Sequence, residues 1–195
     1  MEEIREKKQE IREEIVHKVT SLQPDALAAK TKAVEDRLFE FANFLESRIV
    51  LLYTPIVGEV DTQEIIRRGY MYDKTIVLPA FDQKNRKMTI MKIDDPDKDL
   101  INGPRGNREP DSRRCKVVPL DCIDIAIIPG FAMDEKGGRL GSGKGFYDSL
   151  IPSLPITTRK VGLVFEEQII GAVPMESHDR YIDIVITEAR VIYKI

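Results

Sequence analysis

The chain has 195 residues, 42% hydrophobic and 32% charged, which is ample for one packed core and short for two domains. A formal net charge of -3 excludes a nucleic-acid binder that works through a large basic surface, while leaving room for a local basic cluster that holds a small anion. The charged start MEEIREKKQEIREE has the form of neither a signal nor a transit peptide, and no apolar run reaches membrane-spanning length. With two cysteines, Cys115 and Cys122, and two histidines there is neither a disulfide framework nor a zinc site, so reduced thiols and a cytoplasmic location are expected.

Along the chain, Ile4, Ile11, Ile15, Val19 and Leu22 recur at helical spacing and predict a charged surface helix from Glu2 to about Ser21. Pro24 and Asp25 supply the start of a second helix that continues through ALAAKTKAVEDRLFEFANFL. RIVLLYTP is a short continuous apolar run ended by proline, the pattern of a buried parallel strand. DTQEIIRRG reads as a capped short helix closed by Gly69, and KTIVLPAF and RKMTIMKI as strands. Residues 94–119 are rich in Asp, Pro, Gly, Asn and Arg and predict a long surface excursion. CIDIAIIPG, RKVGLVF and IDIVITEARVIY return to the core. Alternating strands and helices imply an α/β domain with a mostly parallel sheet covered on both faces, spanning 1–195, with 1–46 as amino-terminal helices packed on the sheet.

One segment bears on chemistry. GGRLGSGKGFYD nearly spells the phosphate loop G-x-x-x-x-G-K-[ST], with Gly138, Gly143 and Lys144 in place, yet Gly145 stands where the magnesium-binding hydroxyl belongs. It follows the strand DIAIIPG and so should lie at the carboxyl edge of the sheet, where open α/β sheets bind ligands. If KGFYDSL is helical, Lys144 and Asp148 share one face, a phosphate cation beside a metal carboxylate. Spacing alone equally allows an ordinary turn carrying a surface ion pair.

PGFAMDEKGGRLGSGKGFYDSLI resembles the signature of the 5-formyltetrahydrofolate cyclo-ligase family, also called methenyltetrahydrofolate synthetases, whose R-L-G-x-G-x-G-Y-Y-D block follows P-G-x-x-F/M-D. KKQEIRE, GEVDT, GNREP and HDRYIDIVITE resemble further family motifs in the family order. The resemblance implies a Rossmann-like three-layer α/β/α sandwich. It also implies an enzyme that uses ATP and Mg2+ to convert 5-formyltetrahydrofolate to 5,10-methenyltetrahydrofolate, releasing ADP and phosphate. In that chemistry the formyl oxygen is phosphorylated and N10 then closes the ring, a reaction that needs positioning and charge neutralisation more than a covalent nucleophile.

Carried onto this chain, the resemblance assigns Lys8 and Arg12 to the ATP phosphates and Arg139, Leu140, Gly141, Ser142, Gly143, Lys144, Gly145, Phe146 and Tyr147 to the nucleotide loop. Lys144 becomes the γ-phosphate clamp and Arg139 a second catalytic cation. Asp148 and Asp183 become the metal carboxylates, and Glu59 a folate contact joined by Tyr147. Ser142 stands where the family often has a basic or aromatic residue, and Phe146 replaces the first tyrosine of the usual pair. The role of His178 stays open. The expected partner is a small-molecule reduced folate, with no nucleic acid and no membrane, and the expected assembly a monomer or small homo-oligomer. The alternatives are a ligase of the same scaffold acting on another formyl or carboxyl compound, and a non-catalytic nucleotide- or folate-binding relative.

Overall fold

The computed structural model describes residues 2–85 and 87–194. Charged α1 (Glu2–Thr20) is followed by α2 (Pro24–Glu40) and α3 (Ala42–Glu46). The expected single second helix is broken at Phe41, whose extended backbone (φ -76°, ψ 118°) redirects the chain. The break lets Phe39, Phe41 and Phe44 all reach the core, with Phe39 and Phe44 edge to face at 5.0 Å. Strand β1 (Ile49–Leu51) then leads through a loop to α4 (Gln63–Met71), β2 (Thr75–Asp82) and β3 (Lys87–Ile93). Gly69 lies inside α4 and does not close it: a Cβ there would come within 2.7 Å of Ile76 Cδ1, so the residue permits close helix-to-strand packing.

Residues 94–119 carry more structure than their composition suggests. Asp95 caps the short α5 (Pro96–Asp99), and β4 (Leu100–Asn102) and β5 (Arg108–Pro110) form a hairpin. Next, β6 (Lys116–Val117) joins β3. The remaining elements are β7 (Ile125–Ile128), the small hairpin β8 (Ala132–Met133) and β9 (Arg139–Leu140), α6 (Phe146–Leu150), β10 (Arg159–Leu163), β11 (Ile184–Ile186) and β12 (Val191–Tyr193).

The main sheet has the order β12-β11-β10-β7-β1-β2-β3-β6. β11, β10, β7, β1 and β2 are mutually parallel, while β12 and β3 run against them and β6 pairs antiparallel with β3 at the edge. Alternation along the strands sorts the core into two layers. Val50, Ile76, Ile125, Ile127 and Val161 pack against α1 to α4 on one face. Leu51, Val77, Ala126 and Ile128 face α6 and a thin cover of 3-10 turns on the other. The expected three-layer α/β/α sandwich is present, and each fully buried Leu, Val or Ile in it contributes about 1.5–3 kcal/mol.

After β1 the chain crosses to β2 on one side and returns to β7 on the other, so the topological switch point lies between β1 and β7. The loops leaving those two strands carry Glu59 and the 129–148 segment, which fixes where a ligand site can form. No helix among the described residues is long and apolar enough to cross a membrane.

Gly162 in β10 shows how tightly the thin face is packed, because a Cβ there would lie 2.3 Å from Met133 Sδ and 2.6 Å from Ile182 Cδ1. Gly162→Ala is expected to destabilise the fold by about 1–3 kcal/mol through overpacking. A urea titration should show a lower midpoint at unchanged slope, and an unchanged midpoint would refute this packing.

Candidate active site

The loop after β7 is braced by a buried guanidinium. Arg139, 3% exposed, donates through Nη1 to the Pro129 carbonyl at 3.1 Å and through Nη2 to Asp148 Oδ1 at 2.9 Å. Gly141 lies against the same group, since a Cβ there would sit 2.5 Å from Nη1. The arginine thus ties the end of β7 to α6 and presses the glycine-rich segment flat over itself.

Lys144 is exposed between Gly143 and Gly145, whose φ angles of 86° and 72° lie in the left-handed region that glycine tolerates. The helix therefore begins only at Phe146, and Lys144 does not share a helical face with Asp148 as the spacing suggested. Both still line one cleft of about 570 Å³. Helix α6 has only five residues, so its dipole adds little there.

The opposite wall is α1. Lys8 and Arg12, four apart, both reach the cleft. Arg12 Nε donates to the Gly141 carbonyl at 2.8 Å and so pins the loop to the helix. Lys8 is 6% exposed, and its ammonium donates to Glu176 Oε2 at 2.7 Å and Asp179 Oδ2 at 2.6 Å. Burial works against this charge, but the two carboxylates prevail and raise the lysine pKa above its ordinary value. Exposed His178 stands beside them, with Nε2 3.5 Å from Asp179 Oδ1.

The aromatic Phe146 and Tyr147 line the same cleft. Phe146 packs edge to face on Phe81 at 4.9 Å, and the Tyr147 ring lies 6.5 Å from Phe81 and 5.9 Å from the Arg139 guanidinium. Tyr147 is both a core residue, 7% exposed, and part of the cleft lining. Leu140 is 2% exposed, and its side chain belongs to the core. Ser142 lines the cleft without a described hydrogen bond.

Glu59 lies in the loop after β1 and accepts from the Ile56 N–H at 3.1 Å. Burial pushes its carboxyl up to about 7, against the pull of the Arg105 and Arg139 charges. The same two arginines act on the Tyr147 phenol, which burial holds well above the usual tyrosine range. Glu59, Tyr147 and Arg139 are therefore brought into one electrostatic neighbourhood.

Asp183 is not. It precedes β11 at the amino-terminal end of the strand, accepts from the Lys160 N–H at 2.9 Å and lines a separate cavity with Asn43 and Arg159. The expected pairing with Asp148 fails because the carboxylate is used to cap the start of the sheet, away from the carboxyl edge. Sequence reasoning also missed Arg105, Glu176 and Asp179. The HDR motif held a partial signal for Asp179, whereas Arg105 sat in a stretch with no periodicity to place it.

A cationic cleft at the switch point of a mostly parallel sheet puts the chain among α/β sandwiches that bind anionic ligands at the carboxyl edge. Its membership is narrower than that class. A family model described as the 5-formyltetrahydrofolate cyclo-ligase family matches residues 4–188, and the chain belongs to that family. A probable 5-formyltetrahydrofolate cyclo-ligase of Caenorhabditis elegans is 29% identical, with 98% of each chain covered. The 5-formyltetrahydrofolate cyclo-ligase of Escherichia coli K12 is 26% identical, over 88% of this chain and 94% of the relative. The solution structure of Aquifex aeolicus 5,10-methenyltetrahydrofolate synthetase matches with a TM-score of 0.83 and 29% identity, over 96% of this chain and 92% of that one. A Mycoplasma pneumoniae synthetase, 20% identical, shares the fold with a TM-score of 0.73.

The Glu59 carboxyl yields a pH prediction. Its folded pKa of about 7 lies above the ordinary glutamate value of 4.5, so the folded state holds its proton more tightly than the unfolded state does. Its contribution to stability is present below pH 4.5 and is lost as pH rises to about 7. Glu59→Gln should therefore gain stability relative to the parent chain across that window, and carbon-detected NMR should place the Glu59 midpoint near 7. A midpoint near 4.5 would show that burial does not govern this group.

Proposed function

We propose that the chain catalyses the ATP- and magnesium-dependent closure of 5-formyltetrahydrofolate to 5,10-methenyltetrahydrofolate, with release of ADP and phosphate. The observation that carries this reading is the continuity of one cleft. Lys144, Arg139 and Asp148 line it together with the aromatic Phe146 and Tyr147, and the charge of Glu59 acts on Tyr147. A triphosphate needs the first set, while a pterin, flat and carrying amino and amide hydrogens, needs the second.

The formyl oxygen is a poor leaving group, so it first bonds the γ-phosphorus of ATP as the bond from that phosphorus to ADP breaks. N10 then bonds the formyl carbon, the carbon–oxygen bond breaks, and the N10 proton leaves with the phosphate. Lys144, on a turn free to follow the phosphate, clamps the γ-phosphoryl group. Arg139 is fixed and pre-paid in orientation by Pro129 and Asp148, so it offers charge with little reorganisation. Arg12 holds the loop against α1, and Glu59 accepts hydrogens from the pterin edge. Lys8, locked between two carboxylates, serves this site chiefly by closing α1 onto residues 176–179.

The donor set also fits a magnesium ion. Asp148 Oδ1 accepts from Arg139 and from the Arg180 N–H, while among the described residues Oδ2 accepts no hydrogen bond. One free carboxylate oxygen suits magnesium, which fills its other positions with water and phosphate. The ion would neutralise phosphate charge during transfer. Glu176, His178 and Asp179 also approach one another closely enough to hold a cation, but Lys8 already neutralises that group.

The reading is tested by following the methenyl-folate absorbance with 5-formyltetrahydrofolate, ATP and magnesium, each omitted in turn. A rise requiring all three supports it. Folded protein that binds magnesium-ATP and gives no rise would refute it and point to another formyl or carboxyl substrate. Lys144→Ala should lower kcat by about 10²-fold, as loss of one electrostatic donor does. Asp148→Asn should raise the magnesium concentration needed for half activity, and an unchanged requirement would remove Asp148 as the metal ligand.

A further inference from the structure

The cations of the cleft are unequally engaged. Lys8 is paired with Glu176 and Asp179, Arg12 with the Gly141 carbonyl, and Arg139 with Pro129 and Asp148. Arg105 also lines the cleft, is half-buried, and among the described residues donates to no carboxylate or carbonyl. A guanidinium has five N–H donors and no acceptor, so one that is partly withdrawn from water without a partner is suited to an acceptor that arrives with the ligand.

Arg105 is also held in place. It sits at the tip of the β4–β5 hairpin, where Gly103 N–H donates to the Asn107 carbonyl at 2.8 Å. Asn107, 8% exposed, donates through Nδ2 to Thr54 Oγ1 at 2.8 Å and to the Thr54 carbonyl at 3.1 Å. Thr54 Oγ1 in turn donates to the Arg108 carbonyl at 2.5 Å. The hairpin tip is thereby fastened to the loop leaving β1, at the switch point. The guanidinium lies 4.2 Å over the Phe81 ring, which orients its face and leaves the N–H edges free. Its charge acts on Glu59 and Tyr147 together with that of Arg139, so one arginine from the β4–β5 hairpin and one from β9 bear on the same centre.

We propose that Arg105 is a catalytic residue of this site, an arginine delivered by the β4–β5 hairpin that binds the oxygens of the phosphoryl group as it passes from ATP to the formyl oxygen. This rests on the proposed function for its acceptor, but the phosphoryl group is common to any ATP-dependent ligase of this scaffold. Arg105 completes the neutralisation that Lys144 and Arg139 begin. The bond changes are those given above, and Arg105 enters them only through hydrogen bonds and charge. Arginines placed this way over a transferring phosphoryl group contribute about 10³–10⁵ in kcat where they have been removed from other enzymes.

The test has two readouts on the whole chain. In turnover, Arg105→Ala should lower kcat at least 10²-fold with KM for ATP changed by less than a few fold. Arg105→Lys should recover little of the loss, and added guanidinium ion at millimolar concentration should recover part of it in Arg105→Ala only. In binding, aluminium fluoride should tighten magnesium-ADP on the parent chain at least tenfold, and Arg105→Ala should lose that tightening while binding magnesium-ADP alone as before. An unchanged kcat, or a loss confined to KM for the folate, would overturn the assignment. If the parent chain shows the tightening but no folate turnover, the substrate reading fails and the binding arm alone decides Arg105. If the parent shows neither, both fail.

Discussion

The site depends on a single buried charge. Arg139 is almost wholly withdrawn from water, and a guanidinium in that position is tolerated only if its hydrogens find acceptors. The Pro129 carbonyl and Asp148 supply two, and in doing so they fix the spacing between the end of β7 and the start of α6. A third donor, Nε, is buried without a partner. Removing one member of such a pair strands the other and costs about 3–5 kcal/mol in comparable buried pairs, far more than an exposed ion pair contributes. The flat course of the loop at Gly141, the placement of the Tyr147 ring and the half-used Asp148 carboxylate all follow from this brace.

Around that brace the cleft divides its cations into those that build and those that are free to act. Lys8 and Arg12 dock α1 against the strap of residues 176–179 and against the loop, so an amino-terminal helix becomes one wall of the site. Lys144 and Arg105 are left uncommitted, one on a turn with left-handed glycines at each side and one on a hairpin tip stacked over Phe81. An anion entering between them meets charge that need not first be stripped from a partner. Burial of Glu59 works the other way and keeps its carboxyl near its protonation midpoint at neutral pH.

Much of the scaffold was legible in the sequence because burial imposes periodicity. Ile11, Ile15 and Val19 announced the inner face of α1, and the apolar runs around Val50, Val77 and Ile127 announced strands buried on both faces. The glycine-rich segment was legible as a loop at the carboxyl edge, and the motif resemblance located Lys8, Arg12, Arg139, Lys144 and Asp148 in what the fold makes one cleft. What failed depended on tertiary geometry. Phe41 breaks a helix that local propensity would continue, because three phenylalanines compete for one core. Asp183 looked like a carboxylate needing a metal, but a strand-end N–H serves it. The Lys144–Asp148 helical pairing dissolved at Gly145, whose positive φ delays the helix. Arg105 was invisible because hairpin residues have no period and its stacking partner, Phe81, is 24 positions away in sequence.

If this cleft activates the formyl oxygen by phosphoryl transfer, that oxygen must leave on the phosphate. 5-Formyltetrahydrofolate labelled with oxygen-18 in the formyl group should be turned over with magnesium-ATP and the released inorganic phosphate weighed by mass spectrometry. Each phosphate is expected to carry the formyl oxygen. Unlabelled phosphate, with the label recovered in water, would contradict it.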